Sequence, residues 1–409
     1  MIPLKYFIVI RNVVLGMLSS TMFFISCRDS DFNVEIATSH QLQSLPIRYQ
    51  NILILVSDCD NSPCLKAIST SNGELIWEVN PWPKSFMKNG ISFTPFIQNG
   101  NWIIVSDSSV HVFDLKAGKI IQKKTFSGLI EPNIFGHENY IFPVEYDLKL
   151  GKTTIYRWDM ESHEILPWSS YTFDTESKVH LIGPIHFGSN QDAEFAHSLL
   201  IYKPRSITRN YFCFLNEKGE LKDSFLLDST NLLGLGVTKK PLIDKDFHLS
   251  YWHTITGITC LNLSTGKKQW SKNYNKTMIA SRPIILDTTI IYPTDNDMFL
   301  IIDRFSGAQI AELDSMPHIP SQLFRCQNQL YFTDIEGKLN VLNYNPATKN
   351  YTNKSFLYKG NKPVYPSLYA DNDIVAIHAD TKWLIASPNK ILDNFVPIGK
   401  LNHTKSEKQ

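Results

Sequence analysis

An all-β ring of eight sheets, each of four antiparallel strands, is what this sequence predicts, and three observations predict it. First, a strand–turn–strand unit recurs. Residues 257–270, GITCLNLSTGKKQW, run through a β-branched and apolar stretch, a Ser264-Thr265-Gly266 turn and a second strand ending on Trp270. Asn72-Gly73 leads in the same way to Trp77, again four residues on. Gly118, Gly219 and Gly307 hold the turn without the tryptophan. Glycine supplies the positive φ that such a turn needs. Second, a proline precedes or opens the first strand of each group, at Pro46, Pro95, Pro132, Pro184, Pro241, Pro283, Pro320 and Pro366. The mean step of about 46 residues falls in the range of propeller blades. Third, a small or apolar residue stands six positions before the turn glycine: Ala67, Val112, Cys213, Cys260 and Ile301. An eight-bladed β-propeller follows, with seven blades as the alternative because the third and eighth groups are degenerate. Glu161-Ser162-His163 replaces the glycine turn in the third, and Pro388-Asn389 in the eighth.

The chain opens on a targeting segment, residues 1–26. Lys5 and Arg11 form a basic start, and residues 13–26 are a mostly apolar run of fourteen, short for a membrane span. It ends in Phe24-Ile25-Ser26-Cys27, which resembles a bacterial lipobox. That resemblance implies cleavage before Cys27 and a lipid anchor on its thiol and new amino group. An ordinary signal peptide or single-span anchor is the other reading. Residues 27–42 then read as the lipidated cysteine and a polar tether. Their acidic start, Arg28-Asp29-Ser30-Asp31, resembles the surface-export signals of some Bacteroidota lipoproteins.

Residues 43–397 read as the propeller. After each proline come a short strand, a polar break and an apolar strand, at 52–56, 102–105, 140–144, 199–202, 247–252, 289–292, 330–332 and 374–377. A third and fourth strand follow across the turn. Longer connections are expected at 80–93, 169–179, 190–197 and 229–240. Residues 33–37 alternate like a strand and add to the last blade, unless that blade closes with its own residues 390–395. Residues 398–409 read as a polar C-terminal tail.

Lys and Arg number 40 against 39 Asp and Glu, a balance that argues against a nucleic-acid partner. Hydrophobic residues make up 43% of the chain, enough for a large core. Cys59 and Cys64 flank a hairpin between the second and third strands of the first blade, where facing positions can meet disulfide geometry in an oxidising envelope. The alternative is two unpaired thiols. Cys213 and Cys260 read as core filler. No cysteine–histidine spacing suits zinc. Acidic residues gather at second-to-third strand turns (Asp58, Asp60, Asp107, Asp295, Asp297, Asp334, Glu336 and Asp380), where Asp bonds its own backbone, and they are read as turn formers rather than metal ligands.

The pattern apolar-x-Ala-apolar-x-x-x-Thr-Gly-x-x-x-Trp resembles the pyrroloquinoline-quinone (PQQ)-type propeller repeat, over roughly residues 45–395. The quinoprotein dehydrogenases of that family carry adjacent cysteines over the cofactor, calcium ligands and a docking tryptophan in nearly every blade. Here no two cysteines are adjacent, and tryptophan holds the docking position clearly in two blades, at Trp77 and Trp270. The expectation is therefore a non-enzyme with no cofactor, no catalytic residue and no metal. Lipobox and propeller together resemble the lipoproteins of the outer-membrane barrel-assembly machinery. The resemblance implies a monomeric scaffold, lipid-anchored on the periplasmic side of the outer membrane, that binds envelope proteins of that complex. The loop carrying Trp82, Phe86 and Met87 is the expected partner-binding surface, since large apolar side chains in a Pro- and Lys-bounded loop mark contacts. Packing of Trp82 over the rim is its structural alternative. Two other functions stay open: a cell-surface lipoprotein binding glycan or an envelope partner, and a quinone-dependent dehydrogenase.

Overall fold

The computed structural model of the chain describes residues 33–37, 46–59, 62–79, 96–106, 108–174, 177–190, 193–202, 207–230, 241–253, 257–274, 283–294, 297–314, 316–317, 322–345, 348, 350–360 and 364–403. Eight antiparallel sheets follow one another along the chain and form an eight-bladed β-propeller. Blade 1 spans residues 47–79, blade 2 96–125, blade 3 129–172, blade 4 178–230, blade 5 242–273, blade 6 284–313, blade 7 324–358 and blade 8 364–386. Within a blade, consecutive strands pair side by side. The turn between first and second strands and the turn between third and fourth therefore share one end of the ring. The second-to-third turns and the links between blades share the other.

Strand alternation divides the core. Successive side chains point to opposite faces of a sheet, so each blade offers one apolar row to each neighbour. In blade 4, Cys213 and Leu215 pack with Phe142 and Val144 of blade 3, while Phe212 and Phe214 pack with Trp252 of blade 5. A buried apolar cluster fills the seam on each side of every blade, the seam between blades 8 and 1 included. This resolves the continuous apolar stretches at 52–56 and 374–377: both faces of a middle strand are buried.

The ring closes with strand Asn33–Ala37, which supplies the fourth strand of blade 8. Asn33 lies opposite Ala386 and Ala37 opposite Lys382, and Lys382 Nζ donates to Glu35 Oε2 at 2.7 Å. The alternative closure through residues 390–395 is not the one adopted. Pro388–Ile391 form a helical turn instead, and strand Phe395–His403 runs back along the outer edge of blade 7 as a fifth strand. The polar tail expected from Ile398 thus begins later. Ladder pairing with Asn350–Tyr358 outweighs its polar composition, because an outer strand needs no apolar face.

The proline landmark holds in two forms. Pro46, Pro241 and Pro283 stand just before a first strand. Pro184 and Pro366 lie inside theirs, within the register breaks between Ile182 and Ile185 and between Val364 and Leu368. A broken ladder needs no N–H there. Blade 3 has the same break: its first strand is split into Leu129–Ile130 and Phe135–His137, with Pro132 between. Residues 169–172, 178–190 and 193–202, expected in part as loops, are strand. Their polar and glycine residues lie on long antiparallel ladders of blades 3 and 4, which override local propensity.

Candidate functional site

The repeated turn is a docking device between blades. Gly73, Gly118, Gly219, Gly266 and Gly307 all have positive φ, between 64° and 79°. His163 takes the same conformation, φ 64°, in the blade that lacks the glycine. Four residues before most of these turn positions stands Asp114, Asp159, Asn262 or Asp303, whose side-chain oxygen accepts two backbone N–H groups of the turn. That Asx turn fixes the loop.

Each docking tryptophan reaches the turn of the next blade rather than its own. Trp77 Nε1 donates to the Leu115 carbonyl at 3.2 Å, and Trp270 Nε1 to the Arg304 carbonyl at 3.2 Å. A Cβ on Gly118 would lie 2.9 Å from the Trp77 ring, and one on Gly307 2.6 Å from the Trp270 ring. Within their own blades Trp77 and Trp270 stand opposite Ala67 and Cys260, which explains the small-residue slot. The sequence reading missed a third docking residue, Trp168. Its Nε1 donates to the Glu217 carbonyl at 2.8 Å and it packs on Gly219. It stands five residues after His163 rather than four, because it is the extra residue of a bulge between Pro167 and Ser169. In blade 2 the docking position holds Gln122, which donates to the Met160 carbonyl at 3.3 Å. A buried ion pair ties blades 5 and 6 at the same end, Arg304 Nη1 to Asp244 Oδ2 at 3.1 Å, with the guanidinium over the Phe247 ring.

At the opposite end, two buried carboxylates brace the link into blade 3. Glu145 accepts Ser127 Oγ at 2.8 Å, Gly128 N at 2.6 Å and Tyr156 Oη at 2.7 Å. Glu131 accepts Asn133 Nδ2 at 2.8 Å and Tyr146 Oη at 3.0 Å, and meets His180 Nδ1 of blade 4 at 3.0 Å. Burial works against ionisation of both groups, but these hydrogen bonds outweigh it and hold each pKa below the usual carboxylate value. Above this brace, blade 3 exposes Leu129, Leu148 and Leu150, the last two about two-thirds accessible. Ile335, in the second-to-third turn of blade 7, is equally exposed on the same end.

Of the other expected site residues, Cys64 is buried and disulfide-bonded. Cys59 lies opposite Ser62 in the hairpin register, and its side chain is outside the described residues. Cys27, Trp82, Phe86 and Met87 also lie outside the described residues. Cys213, Cys260 and Cys326 are free thiols buried in three separate seams, and this donor set does not fit the adjacent-cysteine site of a quinone enzyme. Among the described residues no group of three His, Cys, Asp or Glu side chains is placed to hold a metal, and no helix is long and apolar enough to cross a membrane.

No family model and no curated protein matches the chain. Solved structures do. BamB from Moraxella catarrhalis is 11% identical, with a TM-score of 0.55 over 87% of this chain and 96% of that one. The computationally designed Ika8 protein is 12% identical, with a TM-score of 0.54 over 86% and 98% of the two chains. A europium-containing methanol dehydrogenase is 10% identical, with a TM-score of 0.41 over 76% and 84%. The likeness is therefore one of fold: the chain is an eight-bladed β-propeller, similar in its fold to BamB.

Proposed function

We propose that this protein is a non-catalytic scaffold of the bacterial envelope that acts in outer-membrane β-barrel assembly. In this reading it is lipid-anchored through Cys27 on the periplasmic face and holds its partner with the end of the ring formed by second-to-third turns and blade links. The observation that carries the reading is the exposed Leu129, Leu148 and Leu150 set above the braced link of blade 3. Exposed apolar side chains on a rigid base are what a protein-binding surface needs. The fold likeness to BamB supports the same reading. The link carrying Trp82, Phe86 and Met87 joins strands Leu75–Val79 and Phe96–Gln98 at this end and is proposed as part of the contact.

The test is affinity purification of the lipidated protein from its own membranes, with mass spectrometry of what accompanies it. The expected result is recovery of the central barrel-assembly protein, lost when Leu148 and Leu150 are changed to Asp or Trp82 and Phe86 to Ala. Recovery of polysaccharide-handling proteins alone, or of nothing, would overturn the assembly role in favour of a surface binder.

A further inference from the structure

The end of the ring away from the proposed partner surface holds a cavity of about 510 Å³ at the seam of blades 6 and 7. Small-ligand sites run from about 300 to 1,000 Å³, so its size suits a ligand of two or three rings. Three turns build it. Leu286 and Asp287 come from the first hairpin of blade 6, Asn328 from the first hairpin of blade 7, and the rest from the hairpin joining the last two strands of blade 7. In that hairpin Tyr344 and Tyr351 stand directly opposite each other and pack toward Leu286. Asn345 and Asn350 form the next pair, at its tip.

The chemistry of the lining is unusually uniform. Its polar side chains are amides, hydroxyls and phenols, with Asp287 the one carboxylate among the described lining residues. Asp287 lies 3.3 Å from Arg325 Nη2, which offsets its charge. No Lys, Arg or His is among the described residues that line the cavity. A phosphate, a nucleotide or an acidic peptide would meet no cation among the described lining residues. A ligand whose every polar group both donates and accepts finds a match, because an Asn side chain offers two donors and an acceptor side by side. Tyr351 is held by its hydroxyl, which donates to the Asp314 carbonyl at 3.1 Å. Tyr344 is buried, and its hydroxyl has no hydrogen-bond partner among the described residues. Paired phenol rings beside amides suit a sugar, which has an apolar C–H face and a rim of hydroxyls.

We propose that this cavity binds a short neutral oligosaccharide. The proposal stands apart from the barrel-assembly reading, since it uses the other end of the ring. Its test is saturation-transfer NMR and titration calorimetry on the whole mature protein. The probes are maltotriose, cellotriose, mannotriose and triacetylchitotriose, with a galacturonic acid trisaccharide as the anionic control. At least one neutral trisaccharide is expected to bind, and preference for the N-acetylated probe over the unmodified ones separates a cell-wall source from an exported polysaccharide. Asn350→Trp fills the cavity from an exposed position and should weaken binding at least tenfold, and Asn328→Ala several-fold, both with unchanged circular dichroism. Absence of binding by all four neutral probes would overturn the proposal. So would tighter binding of the anionic control, or unchanged affinity in both variants.

Discussion

Trp383 of blade 8 donates its indole N–H to the carbonyl of Val56 in blade 1, at 2.8 Å. Both residues are buried, and the apolar cluster around Trp383 joins Leu53, Leu55 and Ile68 of the first blade to Ala376 and Ile385 of the last. Arg48 reinforces the seam from the other end, bonding Asp371 and Asp373 of blade 8. Trp383→Phe keeps most of the apolar contact and leaves the Val56 carbonyl unpaired. Urea unfolding should show a loss of about 1–2 kcal/mol.

Removing the closing strand is a different experiment on the same seam. Deletion of residues 33–37 leaves Lys382–Ala386 as an open edge in blade 8. Unpaired edges recruit other chains. Sedimentation velocity should show concentration-dependent association of the deleted form and a single species for the intact chain.

Gly118→Ala places a methyl group against the Trp77 ring at a residue with φ 64°. Backbone strain and the close contact together should lower stability by about 1–3 kcal/mol. Trp77→Leu relieves the contact, so the double variant should lose less than the sum of the single changes in thermal unfolding.

His197 is fully buried, hydrogen-bonded to Tyr171 at 2.6 Å, and burial lowers its pKa to about 4. The unfolded chain binds this proton from about pH 6.5 downward, whereas the folded chain resists it. The contribution is thus fully present above pH 6.5 and lost as pH falls toward 4, and linkage puts it at about 3 kcal/mol. His197→Gln should flatten the slope of stability against pH in that window, whatever its effect at neutral pH.

Glu131 titrates lower on the scale. Its folded pKa is depressed, so its stabilisation is present above the ordinary carboxylate value of 4.5 and lost as pH falls below it. Glu131→Gln should cost about 1–3 kcal/mol at pH 7, because Tyr146 and His180 lose a charged acceptor. The gap to the parent protein should narrow below pH 4.5, read by thermal unfolding at each pH.

The blade count was legible because turn chemistry repeats locally: a positive-φ glycine, an Asx residue four before it and a small residue opposite the tryptophan all lie within one hairpin. What escaped the sequence reading depends on contacts between blades. That Trp77 serves Gly118 rather than Gly73 involves residues far apart in the chain. Trp168 was hidden by a one-residue bulge, and Gln122 by its unlikeness to an indole. The Asx residues at Asp114, Asp159, Asn262 and Asp303 could have been found from spacing alone. The polar cavity joins Asp287 and Asn328 to residues 343–345, 348 and 350–352, and no linear motif records such a meeting.

Closure by Asn33–Ala37 also fixes an order of events. Glu35 and Lys382 are 347 residues apart, so a strand made before blade 1 finds its place only after the third strand of blade 8 exists. Loop closure over that span comes late and slowly compared with any hairpin. Blades 1 to 7 can form as the chain is delivered, while blade 8 waits half-built with one edge unpaired. A chaperone that shields nascent edges would have most to do at this step, and a ribosome stalled before residue 382 would hold a ring that cannot close.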